Sequence, residues 1–145
     1  MKLQDFDFRI WDKTKEEFLK KEPTLIKIDN ERVIAGRISR FYANTADITD
    51  MFIGNGNDLE IELWTGIYDK NGKKIYEGDI VKTKSPYDCF LAKVGIHKEG
   101  TFYLESKSRD YIGSLIYLVK DEGYDTEIIG NIHENAELLN ENKPS

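Results

Sequence analysis

Chemistry needs side chains that can donate, accept or coordinate at fixed spacings, and this chain of 145 residues offers few such sets. Its two histidines, His97 and His133, and its one cysteine, Cys89, lack the paired spacing of a structural zinc site, which commonly takes four ligands in two close pairs. Asp69-Lys70-Asn71-Gly72 looks like the start of a calcium loop. Such a loop closes on a glutamate at its twelfth position, and there the chain has Ile80. Gly54-Asn55-Gly56 begins like a dinucleotide fingerprint, but Leu59 stands where the third glycine belongs. Gly113-Ser114-Leu115 lacks the flanking glycines of a nucleophile elbow. Glu60 and Glu62 would share one face of an alternating strand and read as its wet side. Cys89 has no adjacent base and reads as a half-buried small hydrophobe. No catalytic residue, metal site or cofactor is expected, and the chain does not read as an enzyme.

Composition narrows the function classes further. The chain has 21 basic and 27 acidic residues, giving a net charge of −6. Residues 121–141 hold seven acidic residues and no lysine or arginine. That balance opposes non-specific binding to phosphate backbones, which draws on clustered cations. Basic residues gather locally at Arg32, Arg37 and Arg40, and again at Lys70, Lys73, Lys74, Lys82 and Lys84, where Glu77 and Asp79 interrupt them. No apolar run approaches the ~20 residues that span a bilayer, and the first dozen residues lack the apolar stretch of a secretory signal. One cysteine excludes a disulfide framework and fits a reducing compartment, so a cytoplasmic location is expected.

The elements that must position any site are mostly strands. Phe6 to Asp12 alternates strictly, with Phe6, Phe8 and Ile10 on one face and Asp7, Arg9 and Trp11 on the other. Thr24–Ile28 and Arg32–Ala35 read as two strands joined at Asp29-Asn30. Residues 43–58 change character, rich in Asn, Asp and Gly, and are expected to form a mobile or variable segment. Leu59 to Leu63 alternates again. Asn71-Gly72 predicts a tight primed turn, with positive φ at both residues. Glu77-Gly78-Asp79 predicts a bend, and a further hairpin is expected around Glu99-Gly100. Tyr111, Ile112, Leu115, Ile116, Leu118 and Val119 recur at spacings of three and four, which predicts a helix over 111–119. Residues 127–132 return to strand, and Asn135 is placed to cap a last turn through Leu138 and Leu139.

Three segments together resemble the YopX-like family of small proteins encoded by phages and prophages. They are Phe8-Arg9-Ile10-Trp11-Asp12-Lys13, the long middle stretch from Trp64 to Lys82, and Ile128-Ile129-Gly130-Asn131-Ile132-His133-Glu134-Asn135. The chain departs from the family pattern at Trp64, at Ile67-Tyr68 and at His133. The resemblance implies a single mainly β domain over 1–145, a small SH3-like barrel with hairpins and one or two short helices. It transfers no established activity. The motif residues Trp11, Asp12, Thr65, Gly66, Asp69, Asn71, Gly72, Tyr76, Gly78, Asp79, Gly130 and Asn131 read mainly as structural, with turn formers standing where a tight meander needs them.

The expected function is binding, by a non-enzymatic accessory protein, of an unidentified host or phage protein in the host cytoplasm. Trp11, outward by alternation, is the first candidate anchor, with Tyr68, Lys73 and Lys74 beside it, because Trp and Tyr are enriched at interface hot spots. Self-association, most simply as a two-fold dimer, is a further expectation. The alternative is a small barrel that binds single-stranded nucleic acid, with Tyr68 and Tyr76 stacking bases beside the lysine-rich hairpin.

Overall fold

The computed structural model describes residues 7–19, 24–28, 33–38, 52–53 and 59–140. The described chain is mainly β, and every pairing in it is antiparallel. It divides into two compact units, residues 8–62 and residues 1–7 with 63–145.

In the first unit, strand β1 (Phe8–Asp12) pairs with the two-residue strand β2 (Glu17–Phe18) across a turn at 13–16. The first residues of β6 (Leu59–Tyr68) flank β1 on its other side. Ile10 and Leu59 are buried, with Phe8, Leu19 and Ile61 packed on them. The expected pair of strands is present: β3 (Thr24–Ile28) pairs with β4 (Val33–Ile38), from Thr24 opposite Arg37 to Ile28 opposite Val33. Strand β5 (Phe52–Ile53) adds to β4. It falls inside the segment expected to be mobile; the rest of 43–58 lies outside the described residues.

In the second unit, β6 continues into a hairpin with β7 (Lys74–Tyr76). Five strands follow: β8 (Asp79–Lys84), β9 (Cys89–Ile96), β10 (Phe102–Ser106), β11 (Tyr111–Ser114) and β12 (Asp125–Asn131). They form one sheet in the order β11-β10-β9-β8-β12, curled into a half-barrel. Alternation turns Val81, Ala92, Val94 and Leu104 inward, where they pack with Ile67, Ile75, Leu115 and Leu118. Burying a side chain such as Ile75, which has no exposed surface, stabilises the fold by about 1.5–3 kcal/mol.

The helix predicted over 111–119 forms only in its second half. Tyr111–Ser114 is strand β11, and a short helical stretch over 115–121, π-helical from Tyr117 to Asp121, follows it. Pairing with β10 gives the β11 backbone its hydrogen bonds, whereas a helix of this length is marginal by itself. The apolar spacing serves the short helical stretch, since Leu118 packs against Gly113.

Three hairpin turns in this unit share one geometry. The N–H groups of Gly72, Gly100 and Arg109 donate to the carbonyls of Asp69, His97 and Ser106, and those first residues donate to the carbonyls of Lys73, Thr101 and Asp110. The fourth residue of each turn has positive φ, at 81° for Gly72, 89° for Gly100 and 66° for Arg109. This is the three-residue loop with a bulge, the next most common hairpin after the two-residue primed turns. The primed turn expected at Asn71-Gly72 is therefore corrected: Asn71 keeps negative φ because the loop is one residue longer.

Candidate interaction surface

The second unit gathers most of the motif residues, and they act as its joints. Thr65 Oγ1 donates to the carbonyl of Ile75 at 2.7 Å and accepts the N–H of Ile67, clamping the irregularity that Gly66 makes in β6 at φ 84°. Asp69 Oδ1 accepts the N–H groups of Asn71 and Lys73, both at 2.9 Å, and Oδ2 accepts that of Ile128 at 3.1 Å. Burial pushes this carboxyl up, but the N–H groups of Lys73, Ile128 and Asn71, with the Lys73 charge, outweigh it and hold Asp69 below its ordinary range. Asn71 reaches the Glu127 carboxylate at 3.5 Å. Gly78, at φ 88°, donates to Val94 and accepts from Ile132, while Asp79 Oδ2 accepts the Tyr76 N–H at 2.8 Å. Gly130 sits at the bulge of β12, where a side chain would strike Asn135. Asn131 Oδ1 accepts the N–H groups of His133 and Glu134. Asn135 stands at the N-cap of the last turn, as expected, but its side chain makes no capping bond there; its Oδ1 accepts the Asn131 N–H instead.

Tyr68, Lys74 and Tyr76 come together on one face of the β6–β7 hairpin. Trp64 stands opposite Tyr76, and Tyr68 opposite Lys74. The Trp64 and Tyr68 rings meet edge-on at 5.4 Å, and Lys74 Nζ lies 4.6 Å from the centre of the Trp64 ring. Lys74 Nζ and Tyr76 Oη both donate to Asp7 Oδ2, at 2.8 and 2.7 Å. The bond to Asp7 raises the Lys74 pKa, so its charge stays on but is matched. Lys73 is exposed on the turn.

Lys70, Lys82 and Lys84 stand near carboxylates. Lys82 stands opposite Glu127 and Lys84 opposite Asp125, while Lys70 lies 3.5 Å from Glu127. These residues line a polar cleft of about 240 Å³ that mixes both signs. Opposed charges across strands stabilise the sheet, and here two carboxylates reduce the field of three lysines that would draw in a phosphate chain.

In the first unit two expectations are corrected. Trp11 is not outward: it is 7% exposed, its ring 4.9 Å from that of Phe18 and nearly perpendicular to it. Ile10 and Asp12 are also buried, so β1 is covered on both faces, and alternation reports facing without reporting cover. Asp12 Oδ1 accepts the N–H groups of Thr14 and Lys15 and holds the turn into β2. Nor is Glu62 on a wet face; it is buried against the Arg9 guanidinium at 2.9 Å, and Arg9 in turn lies over the Phe18 ring. Glu60 does face solvent, 3.4 Å from Lys13. In the second unit, Cys89 is exposed rather than half-buried, at the end of β9 beside the turn at 85–88.

The sequence reading missed an aromatic stack on the outward face of β9, β10 and β11. Leu104 points into the core, so its neighbours Tyr103 and Glu105 point out. Gly95 stands opposite Tyr103, and the ring lies directly across it, where any side chain at Gly95 would strike it. His97 stacks on Tyr103 at 4.1 Å with an interplanar angle of 23°. Tyr111 joins both rings at 5.7 and 5.9 Å and is 60% exposed. No grouping of acidic, histidine or cysteine side chains suited to a metal ion occurs among the described residues. No helix among them is long and apolar enough to cross a membrane.

Comparison with known proteins fits this picture of a β scaffold. A family model described as YopX protein matches residues 7–140. The crystal structure of protein EF1440 from Enterococcus faecalis is 23% identical, covering 93% of this chain and 98% of that one with a TM-score of 0.53. The crystal structure of protein yopX from Bacillus subtilis is 20% identical, covering 92% and 97% with a TM-score of 0.57. Both share the fold. No curated protein matches the chain.

Proposed function

The chain belongs to the YopX protein family, and from that premise we propose a non-enzymatic accessory protein that acts by binding another protein. The reading places it in a phage or prophage, at work in the cytoplasm of the bacterial host, with its half-barrel serving as an SH3-like platform. The observation that carries it is the exposed stack of His97, Tyr103 and Tyr111. A rigid aromatic group standing clear of the core is the kind of anchor that dominates protein interfaces. It takes over the role first expected of Trp11. Self-association belongs to the same proposal, through the outer edge of β11, since Asp69 and Lys70 already bond the outer edge of β12, and sedimentation at micromolar concentration tests it.

Affinity capture from host lysate tests the main reading. Wild-type protein is expected to retain a defined partner that the variant Tyr111→Ser loses while its melting curve stays unchanged. Retention of the same partner by that variant would overturn the assignment to this face.

A second reading, single-stranded nucleic-acid binding, has one observation in its favour: Trp64, Tyr68, Lys74 and Tyr76 share a face. It ranks second because Lys74 is matched by Asp7, and Lys70, Lys82 and Lys84 stand among Glu127 and Asp125. Titrating a labelled oligonucleotide at low salt decides it. Binding that weakens with salt and with Lys73→Ala and Lys74→Ala together would promote this reading.

A further inference from the structure

Beside the aromatic stack, a cleft of about 260 Å³ opens between the β10–β11 turn and the 3₁₀ turn Ala136–Leu139. Its lining divides by chemistry, with Lys93, Glu105, Lys107 and Arg109 polar, and Ile132 and Leu139 apolar. Lys93 is paired with Glu105 at 3.1 Å. Among the described residues, neither Lys107 nor Arg109 has an ion-pair partner. The cleft is thus a cationic spot on a chain whose net charge is −6. Asp110 and Glu137 are close in sequence to its walls but do not line it.

Arg109 itself is out of place as a turn former. Gly72 and Gly100 fill the matching position in the sister turns, where positive φ costs glycine nothing. Here an arginine occupies the left-handed region at φ 66°, with its cationic side chain at the cleft. Residues held in such conformations cluster at functional sites. The cleft is also continuous with the stack: Glu105 lies opposite Tyr111 on one side and opposite Lys93 on the other.

We infer that this cleft binds an acidic peptide segment of a protein partner. Lys107 and Arg109 hold a carboxylate, and Ile132 and Leu139 seat an adjoining apolar side chain. The inference rests on the protein-binding reading above and names the chemistry of the partner. Arginine suits the task because its planar fork meets a carboxylate with two parallel hydrogen bonds.

The test titrates isotope-labelled full-length protein with three acetylated peptides, alternating Glu with Leu, Lys with Leu, and Glu with Ser, followed by amide chemical shifts. The Glu/Leu peptide is expected to move amides of residues 105–109, 132 and 136–139 in a saturable way, with the other two much weaker. Arg109→Gly is the decisive variant, because it removes the cation and relieves the turn; it should weaken binding about fivefold to tenfold with the fold intact. Lys107→Ala provides a second check with the turn unchanged. No saturable shifts at the cleft, equal shifts from either control peptide, or equal affinity in both variants would overturn the inference. The capture experiment with Tyr111→Ser reads the stack separately, so failure at the cleft leaves that result standing by itself.

Discussion

Asp69 Oδ2 accepts the backbone N–H of Ile128 at 3.1 Å, across 59 residues of sequence. The same carboxylate closes its own hairpin through Asn71 and Lys73, so one side chain fixes a local turn and ties it to the bulged strand β12. Asp69→Asn sets an amide N–H₂ or a rotated carbonyl against these donors and leaves one of them unmet, at a cost of about 1–3 kcal/mol. Urea denaturation at neutral pH measures the loss.

The same carboxylate makes stability depend on acid. Its pKa lies below the ordinary 3.8 in the folded protein, so its contribution is complete above that value and is lost as pH falls through the lowered folded value. The gap in denaturation midpoint between wild type and Asp69→Asn should therefore hold from neutral pH down to about pH 4 and narrow below it. A gap that widens in acid would contradict this role.

Gly130→Ala drives a methyl group to within 2.6 Å of the Asn135 amide oxygen. A destabilisation of about 1–3 kcal/mol is expected. Pairing it with Asn135→Gly removes the whole side chain it strikes, whose Cβ alone lies 2.7 Å away, so the double variant should lose less than the sum of the two single losses in a thermodynamic cycle.

Trp11→Ala empties space in the first unit rather than stripping a binding surface. A loss of about 3–5 kcal/mol is expected, as for other buried tryptophans. Thermal melting should show it directly, with the midpoint falling before any interaction is measured.

Arg109→Gly should move stability the other way. A non-glycine residue in the left-handed region costs about 1–2 kcal/mol, and glycine returns part of that through the entropy of the unfolded chain. A net gain of about 0.5–1 kcal/mol is expected, seen as a higher melting midpoint.

The strands were legible because alternation writes itself into residue type. Phe8 to Asp12, Thr24 to Ile28 and Leu59 to Leu63 are strands where the pattern put them. Turn chemistry was legible at Gly72, Gly78 and Gly100, which all take positive φ. Arg109 broke that rule and was invisible, since no residue type announces a left-handed arginine. At 111–119, spacings of three and four fit a short strand followed by one helical turn as well as they fit a helix, and the partner strand β10 decided between them. Trp11 and Glu62 were misjudged for a related reason, because sequence gives the facing of a side chain but not its cover. The stack of His97, Tyr103 and Tyr111 depends on cross-strand register, which no local pattern contains. Its one local trace was the alternation of Tyr103 and Glu105 about Leu104.

Docking of another protein on the outward face of β9–β11, as proposed above, is read most directly by cross-linking. A photo-reactive phenylalanine analogue, which keeps the aromatic ring, placed at Tyr111 and in a separate variant at Tyr87, tests it in host lysate. Tyr87 is 97% exposed against 60% for Tyr111, so exposure alone favours Tyr87. A partner docked on that face should give a discrete cross-linked adduct from position 111 and none from position 87. Adducts from position 87 alone, or equal adducts from both, would contradict it.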